Sequence, residues 1–332
     1  MIELQDDELV FSFPEIHRDA VCNVGFQRTL RIPDDNREYP LPAGLGDFPL
    51  HHIDDFAATV PKAWQEHGGV FMPMYQAEAL WINFGGHFSG GYPFAIKIAA
   101  GKINAVTGKA WEPGLSGDPQ NYLVTPGQPW LDGFCVQKGL IRQFVAMPLG
   151  EGFTAEEQIT GKAEHGGLQI QAFPMRRDRY EELVKSRRRK WHDVYGMPPN
   201  ACVEMGLAPG GLMRQAIYKD SFGHDAWDTS VSARCFVHIV NSAVYRQITG
   251  CRPPTEPITA DQYQKAGIPW FDYYAGDAKA LEGAPVLAEL DSVAAKSIKK
   301  GLKVHEPAIS VDEAAIVKLS DRSVQQVREG RF

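Results

Sequence analysis

Alternating apolar and polar side chains near the N-terminus constrain the fold of this chain more than any other feature. The segment ELVFSF places Leu9, Phe11 and Phe13 on one face, and AVCNVGF and YPFAIKI repeat the pattern. A period of two residues is typical of a β-strand that buries one face. Turn-forming clusters at 33–36 and 117–119 separate such runs, because their residues favour chain reversal. The first half is therefore predicted to form antiparallel sheet.

The second half has a different character. Residues 176–190 are strongly basic with helically spaced apolar residues, and the C-terminal stretch is rich in helix formers. In GLAPGGLMRQAIY, the paired glycines predict a turn before an apolar segment. The predicted fold class is α+β, with an antiparallel β-rich N-terminal part and an α-rich C-terminal part. The first, 1–175, is sandwich- or barrel-like, and the second, 176–332, packs on it or wraps it. A single domain is the alternative.

Charge and hydropathy exclude several classes of protein. The chain carries a formal net charge of -7, whereas nucleic acid and anionic membranes attract basic proteins, so neither partner is expected. No apolar run is long enough to span a membrane, and MIELQDDELV lacks the layout of a secretory signal. The five cysteines are widely spaced without C-x-x-C, which favours reduced thiols. We therefore expect a cytoplasmic protein.

The segment MPLGEGFTAEEQITGKAEHGGLQ gathers glycines, carboxylates and a histidine, yet most of it has a structural explanation. Thr154 and Glu157 match a capping box, in which each side chain accepts from the backbone N–H of the other. Gly161 then ends a short helix, and a Gly-Gly turn leads into the strand LQIQAF. His165 is the conspicuous residue that this interpretation leaves without a structural role.

His165 is the basis of an enzyme alternative. Histidine titrates near neutral pH and can act as a general base on a glycine-flanked turn, with Glu156 or Glu157 orienting it. The G-x-S-x-G nucleophile elbow is missing from the sequence. Cys135 is predicted to be a buried thiol, because unactivated thiols are poor nucleophiles at neutral pH. The sequence leaves open whether the protein is an enzyme.

A second enzyme alternative places a metal ion at His51, His52 and Asp55 in HHIDDF. These residue types bind zinc, manganese or iron. The preferred interpretation is that Asp54 or Asp55 caps a turn and that the histidines are exposed. The glycine-rich segments lack both G-x-G-x-x-G and G-K-[ST], so no nucleotide fingerprint is present. The sequence therefore predicts no particular cofactor and leaves the metal open.

Aromatic residues beside prolines and glycines give the leading hypothesis. PGQPWLDGF and AGIPWFDYYAG are predicted to be loops, in which amphipathic rings line ligand sites or subunit interfaces. Arg214 follows two glycines and could contact an anion at a helix start. The candidate binding residues are Trp130, Asp132, Arg214, Trp270, Phe271, Tyr273 and Tyr274. We expect a homo-oligomer that binds a small molecule or a protein partner through them.

The segments QPWLDG, MPLGEGFTAEEQITG and GIPWFDYY resemble a family of bacterial and fungal proteins for which no activity is known. AEHGGLQIQAFPM and MGLAPGGLMRQAIY extend this resemblance over much of the chain. The resemblance implies no substrate and no catalytic residue.

Overall fold

The computed structural model describes residues 1–85, 91–186, 205–254, 256–274, 279–304 and 309–320. These residues form twenty strands and seven α-helices, numbered in chain order. The first ten strands are β1 (Ile2–Gln5), β2 (Glu8–Ser12), β3 (Val21–Thr29), β4 (Glu38–Tyr39), β5 (Leu41–Pro42), β6 (Gly44–Asp47), β7 (His51–His52), β8 (Val70–Pro73), β9 (Ala79–Asn83) and β10 (Phe94–Ala100). The remaining strands are β11 (Ile103–Asn104), β12 (Leu123–Thr125), β13 (Trp130–Leu131), β14 (Gly133–Gln137), β15 (Leu140–Pro148), β16 (Leu168–Pro174), β17 (Met205–Arg214), β18 (Ala233–Val240), β19 (Trp270–Tyr274) and β20 (Ile316–Ser320). The helices are α1 (Lys62–His67), α2 (Ala155–Thr160), α3 (Arg177–Ser186), α4 (Ser242–Thr249), α5 (Ala260–Lys265), α6 (Pro285–Ala288) and α7 (Val293–Lys299).

Two large sheets and one small sheet organise these elements. The ten-stranded sheet has the order β1-β2-β3-β9-β15-β17-β4, with β6 paired to β3, β13 to β9 and β14 to β15. The seven-stranded sheet has the order β11-β10-β16-β18-β8-β7, with β12 paired to β10. The small sheet is β20-β19-β5. Pairing is antiparallel except for β4 with β17, β8 with β18 and β19 with β20.

One hydrophobic core is shared by the two large sheets. Phe11 and Phe26 of the ten-stranded sheet and Phe94 and Ile170 of the seven-stranded sheet are fully buried in it. Strand β2 buries Leu9 and Phe11 and leaves its alternate residues half-buried, as the sequence pattern predicts. The β-rich N-terminal part is therefore confirmed.

The expected α-rich C-terminal part is not clearly seen. Strand β17 pairs with β15, and β18 pairs with β16, so both large sheets contain strands from beyond residue 175. Strands account for 37% and helices for 20% of the structure. The predicted turn at Gly210 and Gly211 is wrong, because both lie within β17. A Cβ on Gly211 would lie 2.2 Å from the Pro33 carbonyl oxygen, so glycine is needed there for close backbone approach.

The helix predicted from the capping box is confirmed. Helix α2 has Thr154 as its N-cap and Gly161, which has a left-handed backbone, as its C-cap. Helix α1 is followed by its C-cap, Gly68. Helix α3 covers the start of the predicted basic helix, whose continuation lies in 187–204, outside the described residues. No helix in the described ranges combines the length and apolar character needed to cross a membrane.

Candidate functional site

Four half-buried aromatic rings form a continuous cluster on the protein surface. We call it the aromatic cluster, and its members are Trp81, Trp130, Tyr218 and Tyr273. The Trp130 ring centroid lies 4.9 Å from that of Tyr273 and 6.1 Å from that of Trp81. The centroids of Tyr273 and Tyr218 are 6.3 Å apart. These separations are typical of interacting rings, and the part of each ring that stays exposed offers an apolar platform.

Strand pairing decides which sheet face carries the cluster. Trp130 on β13 lies opposite Asn83 on β9. Trp81 precedes Asn83 by two residues, so it lies on the same face. Ile82, between them, points the other way and is fully buried in the core. The small sheet then brings Tyr273 against Trp130. The cluster therefore lies on the outer face of the ten-stranded sheet.

A buried polar network supports Trp130. Asp132 is 2% exposed, and its carboxylate accepts from Gln215 Nε2 at 2.7 Å. The backbone N–H of Asp132 donates to Gln215 Oε1 at 3.0 Å, and Gln128 Nε2 donates to the Trp130 carbonyl at 3.0 Å. Burial raises the pKa of Asp132 to about 7, while hydrogen bonds from Gln215 and Trp130 act in the opposite direction. Asp132 thus holds the cluster in place from within the core.

Polar side chains continue the outer face beside the aromatic cluster. Pairing of β3 with β9 puts Gln27 opposite Trp81, and Gln27 Nε2 donates to the Asp47 carboxylate. Asn83 Oδ1 accepts the backbone N–H of Gly25 at 2.9 Å. We call five of these residues the polar row: Glu8, Asn23, Gln27, Asp47 and Asn83.

The two carboxylates of the polar row lie close to amides and to each other. Asn23 Nδ2 donates to Glu8 Oε2 at 2.8 Å. Burial, together with the nearby carboxylates of Glu8 and Asp7, raises the pKa of Asp47 to about 6. The row contains neither lysine nor arginine. It therefore combines amide donors with carboxylate acceptors and carries no positive charge.

The segment GIPWFDYY was predicted to be a loop with exposed aromatic rings, and its structure is different. It forms β19, not a loop, because it pairs with β5 on one side and β20 on the other. Trp270 is 2% exposed and packs against Tyr263 with ring centroids 5.3 Å apart, so it belongs to the core. Phe271 is half-buried against the same core. Tyr274 ends the strand, and its side chain lies outside the described structure. The segment thus supplies Tyr273 to the aromatic cluster.

Arg214 lies at a separate cavity of about 590 Å³. Its guanidinium pairs with both carboxylate oxygens of Asp272, at 2.9 and 3.1 Å. The charged side chains lining the cavity are Arg37, Glu38, Arg214, Asp272, Glu313 and Lys318. Among the described lining residues, positive and negative groups are equal in number and Arg214 is already paired, so these residues supply no cationic excess to attract an anion. Arg214 also ends strand β17 and does not start a helix, in contrast to the sequence prediction.

His165 contacts one of the two carboxylates proposed to orient it. Its Nδ1 lies 3.2 Å from Glu156 Oε1, and Glu156 Oε2 accepts the backbone N–H of Lys102 at 3.1 Å. Glu156 is 2% exposed. Glu157 instead accepts three backbone N–H groups within 150–154 and completes the predicted capping box. Glu156, and not Glu157, is therefore the partner of His165.

Potential metal ligands also meet at His165. Glu156, Glu164 and His165 each offer one potential ligand atom, and these three atoms lie within 4.8 Å of one another. The described ranges contain no other such group. Glu164 is already paired, with its carboxylate 3.0 Å from Lys162 Nζ and 3.7 Å from Lys102 Nζ. Lysine charge therefore already balances the exposed carboxylate of this group.

The HHIDDF segment does not gather the ligands of the metal alternative. His51 is half-buried, with its Nε2 2.8 Å from the Tyr245 hydroxyl, and burial lowers its pKa. His52 is exposed, and its Nδ1 accepts from the backbone N–H of Asp54. The His52 imidazole thereby caps the following 3-10 turn. The prediction of a cap by Asp54 or Asp55 is therefore wrong, because the imidazole takes that role. Exposure is confirmed for His52 and wrong for His51.

Cys135 is a buried thiol, as predicted. It is 1% exposed on β14, and burial raises its pKa to about 12. Burial therefore disfavours the thiolate, which is the form of cysteine that acts as a nucleophile.

No protein-family model, curated protein or solved structure matches this chain. The function must therefore be inferred from the geometry of the site.

Sequence reasoning missed most members of the outer face. The segment ALWIN alternates, with Leu80 and Ile82 in the core and Trp81 and Asn83 on the other side. A tryptophan and an asparagine on the outward side of a half-buried strand were the available signal. Tyr218 has no comparable signal, because tertiary packing alone brings it to Tyr273.

Proposed function

We propose that this protein binds a small-molecule ligand through the aromatic cluster. The observation that carries the proposal is the contact of Trp130 with Tyr273, whose ring centroids lie 4.9 Å apart on a partly exposed surface. The buried pair of Asp132 and Gln215 fixes the backbone beside Trp130. Rings held rigidly in this way lose little conformational entropy when a ligand covers them.

The free energy that a ligand gains from apolar contact with the cluster indicates which other contacts it needs. A ligand ring that covers about 100 Å² of the cluster gains about 2.5 kcal/mol from removal of apolar surface from water. A millimolar complex requires about 4 kcal/mol. Polar contacts beside the rings must therefore contribute the remainder.

Ligand-observed NMR with a library of ring-containing small molecules tests the proposal. We expect hits with the wild-type chain that disappear in Trp130→Ala. The matched control is Trp111→Ala, which removes a half-buried tryptophan that covers Lys97 on the seven-stranded sheet. Hits that survive Trp130→Ala unchanged, or a library without hits, would overturn the proposal. Circular dichroism of each variant verifies that the fold is intact.

Self-association is a second part of the proposal. Partly exposed apolar clusters occur at subunit interfaces as well as at ligand sites. Size-exclusion chromatography with light scattering is the test, on the wild-type chain and on Trp130→Ala. A wild-type oligomer that dissociates in the variant supports an interface at the cluster, and a strict wild-type monomer removes this part.

The contact of His165 with Glu156 favours a second candidate function, general acid/base catalysis on a small molecule. A carboxylate that accepts from one ring nitrogen fixes the tautomer and leaves the other nitrogen to transfer protons. A substrate screen should then find a turnover that His165→Ala abolishes. Turnover that is unchanged in His165→Ala would eliminate this candidate.

A further inference from the structure

We propose that the ligand of the aromatic cluster is an uncharged carbohydrate, with its sugar ring on Trp130 and its hydroxyl groups on the polar row. This inference rests on the proposed function and adds the chemical class of the ligand. A sugar ring has an apolar C–H face and a rim of hydroxyl groups. Its recognition thus requires an aromatic platform and adjacent groups that both donate and accept hydrogen bonds.

Asn83 supplies the contact closest to the platform. It lies directly opposite Trp130 in the strand ladder, so the two side chains are neighbours on one face. Its Oδ1 accepts from the Gly25 N–H, which fixes the amide orientation. Its Nδ2 donates to no other described residue. A ligand hydroxyl stacked beside Trp130 can accept from it.

The remaining members of the polar row favour hydroxyl groups over charged groups. Asn23 presents an amide, whereas Gln27 is only 4% exposed and holds the Asp47 carboxylate in place. Asp47 and Glu8 present carboxylates that already accept from these two amides. A hydroxyl group can accept from an amide and donate to a carboxylate at once. An anion would be repelled by the carboxylates, and a cation could not accept from the amide N–H groups. The mixture of amide donors and carboxylate acceptors therefore matches a polyol.

The indole N–H of Trp81 adds an independent observation. This atom is buried and has no hydrogen-bond acceptor among the described residues. Buried donors in folded proteins nearly always have a partner. Trp81 lies opposite Gln27 and packs against Trp130, so it sits where the platform meets the polar row. A ligand hydroxyl oxygen that displaces the side chains now covering this N–H is an acceptor of the required kind.

Titration of the chain with three sets of probes tests the inference. The sets are neutral mono- and oligosaccharides, hydroxyl-free aromatic ring compounds, and alkylammonium compounds, each followed by ligand-observed NMR and tryptophan fluorescence. We expect at least one saccharide to bind at millimolar concentration and its signal to disappear in Trp130→Ala.

Asn83→Asp separates the sugar from a purely apolar ligand. The substitution keeps the acceptor for Gly25 and removes the Nδ2 donor, so saccharide affinity should fall roughly tenfold, while any hydroxyl-free probe keeps its affinity. The matched control is Asn121→Asp, since Asn121 Oδ1 likewise accepts a backbone N–H, that of Ser116, at 2.9 Å. It should leave both affinities unchanged.

Each alternative outcome has a definite meaning. Hydroxyl-free rings that bind in a Trp130-dependent manner, without any saccharide, overturn the carbohydrate inference and leave the proposed function standing. Alkylammonium binding without saccharide binding also overturns the inference, in favour of a cationic ligand. Binding by none of the three sets overturns both.

Discussion

One oxygen of the Glu156 carboxylate lies 3.2 Å from Nδ1 of His165, and the other oxygen accepts the backbone N–H of Lys102. The same carboxylate thus orients a histidine and holds the turn between β10 and β11. A Cβ on Gly101 would lie 2.1 Å from this carboxylate, so the backbone approaches it as closely as glycine permits. A structural role and an orienting role coexist in one side chain.

Substitution of Glu156 should therefore lower the free energy of unfolding, and this effect can be measured without an activity assay. Glu156→Gln keeps the size but removes the negative charge from both contacts, and the amide N–H that then faces His165 requires the imidazole to change its tautomer. We expect a loss of about 1–3 kcal/mol in the free energy of unfolding. Urea denaturation measures it, with Glu164→Gln as the control. Glu164 is exposed, so its substitution should change stability by less than about 0.5 kcal/mol. Equal losses in the two variants would contradict this account.

The capping box that begins α2 and the one formed by Thr259 and Gln262 at the start of α5 should differ in strength. Glu157 accepts from the backbone N–H groups of Gly150, Gly152 and Thr154, whereas Gln262 accepts one backbone N–H, that of Thr259. Glu157→Ala should cost about 2–3 kcal/mol and Gln262→Ala about 0.5–1 kcal/mol in thermal or urea unfolding. A cost for Gln262→Ala that matches or exceeds that of Glu157→Ala would show that the loop at 150–154 needs no such anchor.

Asp132 should make stability fall as pH rises. Burial raises its pKa in the folded state from 3.8 to about 7. The unfolded chain therefore loses the proton near pH 4, while the folded chain keeps it up to about pH 7. The stabilising contribution is complete below pH 4 and is lost as pH rises to about 7, with an upper bound of about 4 kcal/mol.

Asp132→Asn removes this titration and provides the measurement. The free energy of unfolding of the wild-type chain should decrease relative to the variant between pH 4 and 7, and the difference should be constant above pH 8. Urea denaturation at several pH values determines both curves. Parallel curves over the whole range would mean that Asp132 is ionised in the folded chain.

Gly211 should tolerate no side chain. A Cβ there would lie 2.2 Å from the Pro33 carbonyl oxygen, which is backbone and cannot rotate away. Gly211→Ala should therefore cost about 3 kcal/mol or more. At Gly127 the nearest atom to an added Cβ is the Val124 oxygen at 3.4 Å, so Gly127→Ala should change stability by less than about 0.5 kcal/mol. Thermal unfolding of both variants distinguishes close backbone packing from a general preference for glycine.

Local patterns in the sequence predicted the elements whose signals are local. Alternation predicted β2 and β3, and the capping box predicted α2, because these features depend on neighbouring residues. The same reasoning was wrong at Gly210 and Gly211. Paired glycines indicate either a turn or a close contact with distant backbone, and only the partner, here Pro33, distinguishes the two.

The sequence by itself determined the strand periodicity, the helix caps, the acidic charge and the buried character of Cys135, because each follows from residue type and spacing. Only the tertiary structure decided that Trp270 lies in the core while Tyr273 joins Trp130, and that Glu156 rather than Glu157 meets His165. These outcomes depend on which strands become neighbours and in which register. A shift of one residue moves a side chain from one face of a sheet to the other, and no local pattern specifies that choice between distant segments.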